Sequence, residues 1–118
     1  MGRKVTGPQD INVRRIIRQL ENTRIKVWKE VASYLKKARR KRVEANLGRI
    51  NRITNDGEVI VIPGKLLGTG MIDKKITIGA LSWSKGAKRK AEEAGITLLE
   101  LSDIVKQNPS GANVKLVC

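Results

Sequence analysis

Val13, Ile16, Ile17 and Leu20 recur at the i, i+3, i+4, i+7 spacing of one helical face, and Arg14, Arg15 and Arg18 fall on the opposite side. Asp10 stands where an N-cap would begin this helix. Residues 23–26 contain no helix breaker, yet the apolar phase restarts with Val27, Trp28, Val31, Leu35 and Ala38, which predicts a second helix after a short turn. Two such helices can bury their stripes against each other or against the rest of the chain. Lys29, Lys36, Lys37 and Arg40 lie off the second stripe, and Arg39, Arg40, Lys41 and Arg42 follow as four consecutive cations. Asn46 is the next N-cap candidate, ahead of a short helix with Leu47, Ile50 and Ile53 inward and Arg49 and Arg52 outward.

The pattern changes after Asn55, Asp56 and Gly57, a turn signal. Residues 58–62 (EVIVI) are rich in β-branched side chains and run into Pro63 and Gly64, so they read as a strand covered on both faces that ends there. Residues 74–81 form a second strand with Ile76, Ile78 and Ala80 on one face. Ser84 can cap a helix whose Ala87, Ala91 and Ala94 make a narrow stripe fit for close approach to a sheet, and Gly95 sits where a left-handed C′ residue belongs. Residues 96–99 are a third strand, 102–107 a short helix stopped by Asn108 and Pro109, and 114–117 a last strand. The expected fold is α/β in a single domain, with a helical arm over residues 1–54 and a compact body over 55–118.

Charge sharpens that division. Of 25 Lys/Arg and 11 Asp/Glu, residues 1–52 hold 16 and four, a surplus of +12, while the remainder holds nine and seven. A surplus so concentrated repels itself unless a polyanion neutralises it, and arginine's planar fork suits phosphate. Nucleic acid is therefore the expected partner, with DNA and RNA not separated by charge. With no His, and Cys118 as the only Cys, the chain lacks the side chains for Ser/His/Asp or Cys/His catalysis, zinc sites and iron–sulfur ligation. Two Trp, one Tyr and no Phe leave little for stacking unpaired bases, which favours backbone recognition of folded nucleic acid. No apolar run approaches the length of a membrane span, so a soluble, intracellular protein is expected. No membrane, cofactor or small-molecule substrate is expected.

Other candidate features have simpler readings. Gly64, Gly68 and Gly70 surround Lys65 in GKLLGTG, but the spacing fits neither a P-loop nor a dinucleotide fingerprint, and tight turns between strands account for these glycines. Lys65 and the loop amides could still touch a nucleic-acid backbone. Asp56, Glu58 and Asp73 are the only acids in loop-like settings that could bind Mg²⁺ for a nuclease; Asp56 reads more simply as a turn residue and Asp73 as a hairpin residue. Glu92 and Glu93 with Lys88, Arg89 and Lys90 read as a solvated helix surface. Trp28 reads as core, and Trp83 as somewhat more open. Met1, Gly2 and Thr6 match a myristoylation pattern too permissive to carry weight.

Residues 38–52 (ARRKRVEANLGRINR), 61–70 (VIPGKLLGTG), 74–95 (KKITIGALSWSKGAKRKAEEAG) and 108–117 (NPSGANVKLV) together resemble the large-subunit ribosomal protein eighteen, e-type, of archaea and eukaryotes, a family related in its body to bacterial large-subunit protein fifteen. The compact length suits the archaeal form. The chain departs from the pattern at Trp83, where Phe is expected, and at Ile96, where a second Gly is expected. The resemblance implies irregular β/α turns, binding to large-subunit ribosomal RNA beside neighbouring ribosomal proteins, and no enzymatic activity. It falls on Arg39, Arg40, Lys41, Arg42, Asn46, Arg49, Asn51, Arg52 and Lys65. With the arm cations Arg3, Lys4, Arg14, Arg15, Arg18, Lys36 and Lys37, these are the expected RNA contacts, in which Asn46 and Asn51 would add sugar or base-edge hydrogen bonds. A DNA-compacting, chromatin-like protein and an RNA-processing enzyme are the alternatives.

Overall fold

The computed structural model describes residues 6–37 and 43–117, with side chains from Val13 onward except that of Lys37. The expected contacts at Arg3, Lys4, Arg39, Arg40, Lys41 and Arg42, and the side chain of Lys37, lie outside the described residues. The element order is α1 (Thr6–Asn22), α2 (Lys26–Lys37), β1 (Val43–Asn46), α3 (Leu47–Ile53), β2 (Val59–Leu67), β3 (Thr77–Trp83), α4 (Lys85–Glu93), β4 (Thr97–Glu100), α5 (Leu101–Gln107) and β5 (Val114–Leu116). The fold is α/β, as its alternation of periodicities predicts.

All strand pairs are parallel, in the order β1-β2-β3-β4, and β5 also pairs with β2. β3 runs along one edge of β2. On the other edge β5 and β1 lie end to end, β5 against Val59, Ile60 and Val61 and β1 against residues 64–67. Where a strand has neighbours on both edges and helices on both faces it must be apolar, which is what residues 59–62 (VIVI) supply. Alternation along it assigns the faces: Ile60 and Ile62 join a core with Leu47, Ile50, Ile78, Ala80, Ala87 and Ala91, while Val61 joins a second core with Leu20, Trp28, Val31, Leu35, Leu101 and Ile104. The sheet thus separates α3 and α4 on one side from α1, α2 and α5 on the other.

Several boundaries differ from expectation for identifiable reasons. α1 begins at Thr6 rather than after Asp10; Pro8 then falls in the first turn, where its missing N–H costs no intrahelical bond. β2 continues through Pro63 to Leu67, because the register against β3 shifts between Ile62 and Lys65 and this bulge accommodates the proline. A Cβ at Gly64 would lie 1.8 Å from the carbonyl oxygen of Val43, so glycine there is what lets β1 pair. β1 has no counterpart among the expected strands, and with α3 it places part of the 1–54 segment inside the sheet layers. Since β2 and β3 are parallel, Asp73 lies in a crossover loop and not in a hairpin.

α1 and α2 turn back at Thr23, whose hydroxyl donates to Leu20 O (2.7 Å) and accepts from Ile25 N (3.2 Å), while Arg24 takes a left-handed φ of 59°. Their apolar stripes fill the second core. Gln19 Nε2 donates to Ser102 O at 3.0 Å, tying α1 to α5.

Candidate nucleic-acid interface

The carboxyl ends of β1, β2 and β3 lie side by side, since Asn46 is in register with Leu67 and Leu66 with Trp83. Two helices start there, each capped as expected. Asn46 Oδ1 accepts from Arg49 N at 2.8 Å to begin α3, and Ser84 Oγ accepts from Ala87 N at 3.1 Å to begin α4. In an open α/β sheet this edge is the usual place for ligands.

Residues 68–70 run between the two helix starts. Gly48 N donates to Thr69 O at 3.0 Å on the α3 side, and Lys90 Nζ reaches from α4 to Gly68 O (2.6 Å) and Gly70 O (2.9 Å). Gly70 has φ 90°, and a Cβ on it would lie 2.6 Å from Gly48 Cα. The reading of this cluster as tight turns is therefore corrected. Gly64 lies within β2 and Gly68 lies against the first turn of α4, both for close backbone approach; only Gly70 among the three needs the positive φ of a turn.

The cations around this layer divide into two sets. Lys74 Nζ donates to Asn51 O (2.9 Å) and Thr54 O (2.8 Å), and Lys115 Nζ to Ile53 O (2.7 Å). They satisfy carbonyls at the end of α3, where positive charge also complements the helix dipole. With Lys90 they hold the scaffold. Arg49 and Arg52 are exposed on α3. Lys65 is exposed on β2 beside Glu44 of β1, and its alternation with Leu66 of the first core turns it to the sheet face away from α3 and α4. Ile53, expected inward, is 41% exposed; the end of α3 is closed instead by buried Thr54, which donates to Ile50 O at 2.7 Å.

The side-chain oxygens of both expected asparagine contacts already serve the fold: Asn46 caps α3, and Asn51 Oδ1 accepts from Asp73 N at 3.1 Å. Across the sheet, Arg14, Arg15 and Arg18 are exposed on α1, and Lys36 on α2 pairs with Glu21. An exposed pair of this kind is weak, leaving Lys36 open to exchange for a phosphate partner. The structure therefore brings Arg49 and Arg52 together on one layer and sets Arg14, Arg15, Arg18, Lys36 and Lys65 on the other side of the sheet. Lys88 and Arg89, which read from sequence as solvated surface, are exposed with Lys85 on the N-terminal half of α4. The i, i+3, i+4 spacing of these three cations opposite Ala87 and Ala91 is the signal that marks them.

Among the described residues no three His, Cys, Asp or Glu come together as a potential metal site, and no helix is long and apolar enough to cross a membrane. Asp56 accepts from Lys75 N at 2.8 Å, and Glu58 accepts from Asn55 N at 2.6 Å and approaches Lys115 at 3.7 Å. A cavity of about 280 Å³ lined by Gly57, Glu58, Lys75 and Thr77 lies at the amino ends of β2 and β3, the far end of the sheet from the 68–70 loop.

Residues 10–99 match a family of ribosomal proteins described by its 50S members L15 and L18e together with a 60S member, and the chain belongs to this family. Within it, the chain is similar to archaeal proteins each named large ribosomal subunit protein eL18. The Pyrobaculum aerophilum protein is 38% identical over 116 residues, 95% of either chain; that of Thermoplasma volcanium is 39% identical over 105 residues, 89% of this chain and 86% of its own. The Archaeoglobus fulgidus protein is 42% identical over 91 residues, 77% of this chain and 78% of its own.

Proposed function

We infer that this protein is a structural constituent of the large ribosomal subunit in the cytoplasm, not an enzyme, and that it binds and stabilises folded ribosomal RNA through phosphate contacts. The observation that carries the mechanism is the placement of exposed cations on both sides of one sheet. RNA helices repel one another, and a rigid slab with arginines on two faces can neutralise phosphates of two of them at once. On one side the contacts are Arg14, Arg15, Arg18, Lys36 and Lys65; on the other, Arg49 and Arg52, joined by Lys85, Lys88 and Arg89; Lys37, whose side chain lies outside the described residues, adds charge. Arg3, Lys4, Arg39, Arg40, Lys41 and Arg42 add charge to the same single ribosomal-protein domain. Asn46 and Asn51 are contacts through whatever capacity their structural hydrogen bonds leave. Neighbouring ribosomal proteins are further partners.

The test is a salt titration of binding to protein-free large-subunit ribosomal RNA, with duplex DNA as competitor. The logarithm of the binding constant should fall by about 0.7–0.9 per neutralised phosphate for each decade of salt. Salt-independent binding would overturn the reading, and preference for duplex DNA would favour a DNA-compacting protein.

A further inference from the structure

Met71 is 76% exposed and follows the 68–70 loop directly. A single exposed apolar side chain needs no explanation by itself, but this one is held outward on a fastened corner. On its N-terminal side Gly70 lies against the backbone of Gly48, and Lys90 binds the carbonyls of Gly68 and Gly70. On its C-terminal side Ile72 is buried in the core, and Asp73 N donates to Asn51 Oδ1. The segment therefore cannot fold Met71 inward without breaking these ties.

Its surroundings indicate what covers it. The loop is flanked by α3, with exposed Arg49 and Arg52, and by the start of α4, where Lys85 is exposed at the same edge while Lys88 and Arg89 lie on the helix face away from the loop; Asp73 is the acid on the segment itself. A net positive rim suits a polyanion better than another protein's apolar patch. The apolar surfaces that RNA offers are the faces of its unstacked bases, and a thioether makes favourable contacts with aromatic rings.

Resting on the ribosomal RNA reading above, we propose that Met71 packs against the face of an unstacked RNA base, fixing the position of a phosphate clamp formed by α3 and α4. It contributes apolar contact and no charge, which separates it from its neighbours in an experiment.

The experiment compares the full chain with Met71→Ala, Met71→Leu and Arg52→Ala for binding to protein-free large-subunit ribosomal RNA across a salt series, with base-accessibility probing of the complexes. Met71→Ala should weaken binding about tenfold, equivalent to ~1.4 kcal/mol, with an unchanged salt slope. It should also uncover one base protected by the parent protein, while Met71→Leu retains most of the affinity. Thermal unfolding of the Ala variant should match the parent, since the side chain is exposed. Unchanged affinity and protection in Met71→Ala, with Arg52→Ala lowering the slope, would overturn the base contact and leave the ribosomal RNA reading standing. A changed slope in Met71→Ala would also overturn it, by showing that the residue acts only through the cations. Salt-independent binding of the parent would overturn the underlying reading.

Discussion

The indole N–H of Trp28 on α2 donates to the main-chain carbonyl of Asn108, and to that of Pro109, at 3.2 Å each. One side chain fills the second core and also ties the α1–α2 layer to the turn that leads into β5. Trp28→Ala should cost about 3–5 kcal/mol from the cavity alone. Trp28→Phe keeps most of the volume and should cost about 1–3 kcal/mol, because the two carbonyls lose their donor. Urea unfolding of the three proteins checks the order.

Gly70→Ala should destabilise the protein more than Gly57→Ala. Both glycines have φ near 90°, at 90° and 89°, so both variants carry backbone strain on the order of 1–2 kcal/mol. Only at Gly70 does the new methyl meet backbone, whereas Gly57 has open space around it. Equal midpoints in a denaturant titration would contradict the close approach of Gly70 to Gly48.

Asn46 separates a capping role from an RNA contact. Asn46→Ala should lose about 1 kcal/mol, while Asn46→Ser should retain nearly all stability, since serine caps as well. If Asn46 also donates to RNA, the Ser variant should bind large-subunit ribosomal RNA more weakly at unchanged stability. Calorimetric melting and RNA affinity, measured on the same preparations, give both readouts.

Arg52→Ala and Lys90→Met should behave oppositely. Arg52 is exposed, so its removal should alter stability by no more than about 0.5 kcal/mol while lowering the salt slope of binding by roughly 0.7–0.9. Lys90 binds two loop carbonyls, and Lys90→Met should cost about 1.5–3 kcal/mol in folding. Paired measurements of unfolding and salt-dependent binding distinguish a phosphate ligand from a structural cation.

The features that local chemistry determines are readable in the chain. The Val27, Trp28, Val31, Leu35 stripe, the caps at Asn46 and Ser84, and the left-handed Gly95 each depend on a few adjacent residues, and each stands in the structure as expected. What escapes depends on distant partners. Residues 43–46 are too short to announce a strand and become one by pairing with residues 64–67. Pro63 and Gly64 look like a strand's end until the bulge and the approach of Val43 are known. The split of the lysines into scaffold and surface is likewise unreadable, because Lys74, Lys90 and Lys115 carry the same charge as Lys65 and differ only in the carbonyls they reach.

The end-to-end placement of β5 and β1 along β2 has a kinetic consequence. Half of that edge is supplied from residues well before β2 and half from Val114–Leu116, so the central strand has no complete set of neighbours until nearly all of the described chain has been synthesised. Because every strand pair is parallel and non-local, closing the sheet requires long loops to be fixed first, which slows folding relative to a helical bundle of the same length. While β5 is still unmade, the segment Val59, Ile60 and Val61 presents unpaired backbone and apolar side chains, the combination most prone to association with another chain. A variant that weakens β5 should therefore lower the yield of soluble protein more than its equilibrium stability would suggest.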